Sequence, residues 1–298
     1  MGNFSSTSSN VPFFWPKFEF SLILFGVIIS IPCYLFVFYH LLTERNRRKS
    51  VHNHAMIILL FYNFLIVTVD LTMTLDFNRL GYVQLFTPAI CNIWQFIDHG
   101  IWYGAVSVMF WTSFERHILI FHPNLVATTR KRLFVHYIPL AFFSLYTPIL
   151  FFYLIFLHSC GQTYVSTKIR CGSICLYIDA PNWLQQYDSY IDYVLPTKTT
   201  NATSRDMASL SKNDSSTCIG IYNICDLPAI IVFIIQSSGY PTFASNIWSP
   251  FLTRLTLIPS IIVPFAVLLA LPELKRKLLA LCIWKRNQRV IVPGITIN

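Results

Sequence analysis

The chain has 298 residues, of which 54% are apolar, 16% aromatic and only 12% charged, about half the charged share of roughly 25% usual in soluble domains. Its mean hydropathy is +0.54. So little charge cannot clothe a water-facing surface of this size, which excludes cytosolic enzymes and disordered or fibrous chains and makes the bilayer the natural solvent. The formal charge is +9, yet the cations are not spread over one face as nucleic-acid binding requires. Thirteen of the 22 Lys and Arg fall in short clusters at 45–49, 130–132 and 275–289, between apolar runs. Cytoplasmic loops retain positive charge in this way, so the expected partner is the lipid bilayer and no nucleic acid is expected.

A hydrocarbon core of about 30 Å needs around 20 apolar residues to cross it. Each span must be a helix, because lipid offers an open backbone no partner. Residues 1–17 show no basic n-region and no small-residue cleavage site, and read as an extracellular N-terminus with a glycosylation sequon at Asn3. Met1-Gly2 with Ser6 also fits a myristoylation pattern, which needs a cytoplasmic N-terminus; the charge pattern favours a glycan on Asn3.

The first span, 20–42, contains no Asp, Glu, Lys or Arg. The second, 55–75, contains only Asp70; the third, 89–114, only Asp98; the fourth, 133–157, none. Alternation then places Arg45–Lys49 and Arg130–Arg132 inside and His158 onward outside. Two further candidates, 217–236 with Asp226 and 255–271 (extending backward to 245), make six. Six crossings leave the basic tail outside, against the charge rule. A seventh is therefore expected in the weak patch 183–196. Thr197–Ser216 follows it, with nine Ser or Thr in twenty residues, a stretch that hydrocarbon would accept only at a large desolvation cost. It reads as a loop or as a splicing artefact. Residues 273–298 read as an amphipathic helix and cytoplasmic tail. The expected fold is an all-α, polytopic seven-transmembrane helix bundle over 18–272, its fifth helix weak or incomplete, with a short amphipathic C-terminal helix.

The third span carries the sharpest constellation. Cys91 stands at its outer end, Asp98 follows, and Glu115-Arg116-His117 closes its inner end. The 18 residues from Asp98 to Arg116 make five turns of about 3.6 residues, so both point one way in an ideal helix. This resembles the third helix of rhodopsin-like (class A) G-protein-coupled receptors, in which a Cys precedes the Arg of a D/E-R-Y motif by the 25 residues that separate Cys91 from Arg116 here. Asp70 looks like that family's buried second-helix carboxylate. Cys225-Asp226-Leu227-Pro228 resembles the C-W-x-P kink, and Val263-Pro264-Phe265-Ala266-Val267 stands where N-P-x-x-Y is usual. The departures are His117 for Tyr, Asp226 for the toggle Trp, Val263 for Asn, and an inner fifth-to-sixth helix region compressed to 32 residues between Pro196 and Pro228.

The resemblance implies a multi-pass plasma-membrane receptor, N-terminus outside, that passes an extracellular signal to a heterotrimeric G protein. It assigns Asp98 and Trp102 to a ligand that is an amine-bearing small molecule or peptide. The bland reading of Asp98 is a helix-to-helix hydrogen bond with His99. Asp70 is implied to lie in a polar cluster that can hold a sodium ion; no other cofactor or metal is expected. Glu115 and Arg116 are implied to lock the resting state, with Asp226, Pro228 and Pro264 as switch positions. Cys91, Cys160, Cys171 and Cys175 form an even extracellular set, consistent with two disulfides in an oxidising compartment. From the resemblance, Cys91–Cys175 is the preferred pair, with Cys171 close behind. Cys282 is a palmitoylation candidate or a free thiol facing lipid. No enzyme constellation is found: His52-x-His54 lacks further ligands, and no phosphate-binding glycine loop exists. The alternatives are a truncated, non-signalling receptor fragment and a six-span channel or transporter lined by Asp70, Asp98 and Asp226.

Overall fold

A computed structural model describes residues 14–44, 51–122, 128–158, 164–172, 255–271 and 274–278, with single positions at 124, 174, 225, 228, 231–232 and 235. Its described side chains begin at Phe20 and leave out 51–52, 116–117, 119–120 and 270. Five helices organise these residues, and no strand occurs among them. Helix α1 is Phe14–Thr43. Helix α2, residues 51–80, joins Val51–Leu65 to Leu71–Leu80 through a π turn at Ile66–Asp70. Helix α3, residues 88–121, joins Pro88–Gln95 to Trp102–Phe121 through a π turn at Phe96–Ile101. Helix α4, residues 129–157, has π turns at Leu133–Tyr137 and Tyr153–Leu157, and α5 is Ile258–Ala270.

Phe20–Thr43, Asn53–Leu80 and Thr129–Leu157 are each long and apolar enough to cross a membrane. Helix α3 matches them in length but is less apolar, carrying Gln95, Asp98, His99, Thr112 and Ser113. It is accordingly the enclosed one: from Tyr103 to Met109 every side chain is buried, between α2 on one side and α4 on the other. Helix α1 covers α2, and α5 packs on both α1 and α2. The all-helical, membrane-compatible reading stands. The weak spans 183–196 and 217–236 lie almost wholly outside the described residues.

Helix boundaries follow local chemistry. Thr87 caps α3, its hydroxyl accepting from the Ile90 N–H at 3.3 Å with Pro88 next in line, as capping and proline preferences dictate. Helix α2 stops at Gly81, which takes φ +76°, a left-handed turn that glycine makes without steric cost.

Two helix-to-helix bonds have a common origin. A proline inside a helix has no N–H for the carbonyl four residues earlier, and hydrocarbon cannot supply a substitute. Pro148 in α4 therefore frees the Ser144 carbonyl, and the Tyr62 hydroxyl from α2 donates to it at 2.5 Å. Pro264 in α5 frees the Ser260 carbonyl, and the Tyr34 hydroxyl from α1 donates to it at 2.6 Å. Each tyrosine thus repairs a neighbour's broken ladder and fixes which helix lies beside which. The Tyr62 ring also sets the spacing of α3: a Cβ on Gly104 would stand 2.8 Å from it, so only glycine fits.

Direction along the bundle follows from contacts at its two ends. The Val83 N–H after α2 donates to the Ser166 carbonyl after α4 at 2.9 Å, which makes this one end. At the other, Glu44 after α1 pairs with Lys277 after α5. With Gly26 against Ile261 nearer the first end, α1 and α5 run parallel.

Replacing Tyr34 or Tyr62 by Phe leaves a buried carbonyl without its donor and is expected to cost about 1–3 kcal/mol. A lowered thermal midpoint of the detergent-purified protein is the readout, and an unchanged midpoint in both variants would contradict the repair.

Candidate functional site

At the Val83–Ser166 end of the bundle, α2 and α3 bring two carboxylates together because each helix widens there into a π turn, and those turns face one another. Such turns re-aim side chains and recur at functional sites. Asp70 is buried, and its Oδ1 accepts from the Trp94 indole N–H at 2.8 Å. Among the described residues Asp70 Oδ2 has no hydrogen-bond partner. Asp98 stands one turn deeper along α3 than Trp94. Its Oδ1 pairs with Arg170 Nη2 at 2.8 Å, and its Oδ2 lies 3.0 Å from His99 Nδ1. The same nitrogen is 3.1 Å from the Gln95 carbonyl. Both neighbours are acceptors, so His99 Nδ1 carries the hydrogen.

Arg170 arrives from the segment after α4, which is fastened to α3 by more than this ion pair. Cys91 is bonded to Cys171, with Cα atoms 5.7 Å apart. Gln95 Nε2 donates to the carbonyls of Arg170 and Gly172 at 3.0 and 3.3 Å. Tyr164 donates its hydroxyl to Asn92 Oδ1; burial raises its pKa, with the bond to Asn92 opposing the shift. Ile174, almost fully buried, packs on Tyr103, Phe151 and Ile155. Arg170 and Cys171 both hold positive φ, 57° and 59°, a conformation that costs a non-glycine residue about 1 kcal/mol or more and persists only where surrounding contacts enforce it.

The disulfide is a correction: the partner of Cys91 is Cys171, not the preferred Cys175, which lies outside the described residues. The reason is the tight turn at Ile169–Cys171. Its left-handed residues, with the Val165 N–H donating to the Cys171 carbonyl at 3.0 Å, fold Cys171 back over Cys91.

A second polar group lies toward the opposite end of α3. Glu115 is buried there and pairs with Nδ1 of His136 from α4, itself fully buried. His136 Nε2 is 3.2 Å from Nδ1 of His54 in α2. Of the expected Glu115–Arg116 lock the described part is Glu115, whose Oε1 pairs with His136. The π turn at Phe96–Ile101 holds more residues than an α turn, so the rotation of an ideal helix from Asp98 onward is not kept. The Arg116 side chain lies outside the described residues.

The other expected positions are dispersed. Trp102 is half-buried one turn below Asp98 and packs edge-on against Tyr103, ring centres 5.1 Å apart. Pro228 is helical and half-buried, and Pro264 serves α5 as described. Asn3, Asp226 and Cys282 lie outside the described residues. One oxygen of Asp70 is taken by the Trp94 indole N–H and the other has no hydrogen-bond partner among the described residues, where no group of three or more His, Cys, Asp or Glu is placed to hold a metal.

Sequence reasoning missed Arg170, His136 and Trp94, and weighed His54 only as a metal ligand. His136 had a signal, being a titratable side chain inside an otherwise apolar span. Arg170 had only its place beside a loop cysteine. No protein-family model matches the chain, and no curated protein matches it.

Replacing Cys91 or Cys171 by Ser is expected to lower surface expression to the same degree, while Cys175→Ser lowers it less. Equal loss with Cys175→Ser and none with Cys171→Ser would restore the Cys91–Cys175 pairing.

Proposed function

We propose that the chain is a rhodopsin-like, seven-helix receptor of the plasma membrane, N-terminus outside, which passes the binding of an extracellular amine-bearing small molecule or peptide to a heterotrimeric G protein. The observation that carries this reading is the central α3, latched by Cys91–Cys171 at one end. It holds a largely enclosed acid, Asp98, under that latch and a buried one, Glu115, toward its far end. A helix with polar contacts at both ends, enclosed by neighbours along its length, can convert a contact at one face into a rearrangement at the other. That requires only that the ligand favour one of two arrangements.

Helix direction supports the odd number of crossings the reading needs. Because α1 and α5 run parallel, the chain after α4 must return to the end it left before α5 begins. Residues 158–257 then cross an even number of times, and the weak spans 183–196 and 217–236 supply two. With seven crossings the basic tail returns to the side where positive charge is retained.

The six-span channel reading is disfavoured by the same contacts. Arg170 and His99 hold both oxygens of Asp98, and Trp94 holds one of Asp70, so Asp98 is not left open to an aqueous path. The truncated-receptor alternative shares this outer architecture and differs in lacking the response.

Reconstituted in lipid nanodiscs with a mixture of heterotrimers, the chain is expected to raise guanine-nucleotide exchange above that of empty discs. Arg116→Ala should return it to that background. No exchange with any heterotrimer, together with an ion current abolished by Asp98→Asn, would replace the receptor with a channel.

A further inference from the structure

The acid expected to receive an external amine already holds a cation from the chain itself. We propose that Arg170 is a built-in occupant of the Asp98 site, a specificity-determining residue that neutralises the carboxylate and excludes external ammonium or guanidinium groups until the 164–174 segment shifts. The inference rests on the outward-facing reading above and deepens it, since it says what the site admits.

Arg170 is not a surface arginine that happens to reach an acid. It immediately precedes Cys171, which is bonded to Cys91 two turns above Asp98 on the same helix. Its own carbonyl and that of Gly172 are held by the buried Gln95, and its backbone is fixed in a left-handed turn. Covalent and hydrogen-bonded tethers on both sides keep the guanidinium within 2.8 Å of Asp98 Oδ1. A tethered group competes at an effective concentration of roughly millimolar or more, so a free amine at ordinary ligand concentrations is at a disadvantage. His99 holds the second carboxylate oxygen, which completes the occupation.

The arrangement also defines what opens the site. Beside the disulfide and the bonds of Tyr164 and Ser166 to Asn92 and Val83, three tethers are contacts between the segment and its seat that a guest can replace: the ion pair, the Gln95 donations, and the packing of Ile174 on Tyr103, Phe151 and Ile155. The disulfide limits the excursion, so the segment swings about Cys171 rather than leaving. A ligand with both a cation for Asp98 and an apolar body for the Ile174 seat would substitute for the segment on both counts.

The test uses Trp102→Cys, one turn below Asp98, as a reporter and measures its reaction with a cationic and an anionic methanethiosulfonate on intact cells, after subtracting the labelling of the parent. Tyr82→Cys, at an exposed position after α2, is the control. With Arg170 present, position 102 should react slowly with both reagents and show no more preference for the cation than position 82. Arg170→Ala should speed the cationic reagent about tenfold more than the anionic one, as a focused negative charge in a cleft does. Arg170→Lys should stay near the parent, and adding Asp98→Asn to Arg170→Ala should abolish the preference. If Arg170→Ala fails to reach the surface, Arg170→Gln makes the same comparison. Equal acceleration of both reagents, or none, would overturn the proposal, since the arginine would then only pack. If the control at position 82 labels only after permeabilisation, the outward-facing reading fails instead, and the rates at position 102 in permeabilised cells still decide the role of Arg170.

Discussion

Hydrocarbon supplies no hydrogen-bond partner, and four polar groups carried by the apolar helices are met instead by partners from neighbouring elements. Carbonyls freed by Pro148 and Pro264 are met by tyrosines from neighbouring helices. Asp98 is met by Arg170 and Glu115 by His136. These four contacts tie α2 to α4, α1 to α5, the segment after α4 to α3, and α3 to α4. Apolar packing fills the space between them, but it is similar on all sides of a membrane helix and does not by itself choose neighbours. The polar repairs do.

The same requirement explains why α3 is the axis. It has too many polar side chains to face lipid, so it is enclosed, and each of its polar groups then needs a protein partner. Close approach follows at Gly104, where the Tyr62 ring leaves no room for a Cβ. Cys91–Cys171 adds a covalent bond near one end of the helix. The result is a rigid central element with one polar contact near each end. In the proposed receptor these are the two places where a ligand and a cytoplasmic partner would compete with internal bonds.

Much of this was legible in the residues. Four long apolar runs were visible because membrane helices need uninterrupted hydrophobicity, and the carboxylates stood out because they interrupt it. Cys91 was recognisable from its separation from Arg116. The partners were not legible. The π turn of 96–101, which no residue type announces, changes the rotation along the helix, and the pairing of buried Glu115 with His136 was not foreseen. Arg170 and Cys171 find their places through two left-handed residues that have no glycine to mark them. Tyr34 and Tyr62 look like ordinary aromatics in an aromatic-rich chain until the proline-freed carbonyls opposite them are known.

Glycosylation mapping tests the central claim of a seven-crossing bundle most directly. Asn3 and the asparagines of two further sequons, Asn201-Ala202-Thr203 and Asn213-Asp214-Ser215, are replaced singly by Gln, and the shift in mass of the expressed chain is read for each. The account predicts a glycan on Asn3 and none on Asn201, because residues 197–216 would lie inside, between the fifth and sixth crossings. A glycan on both would place that stretch outside and contradict the seven-helix topology on which the receptor reading depends.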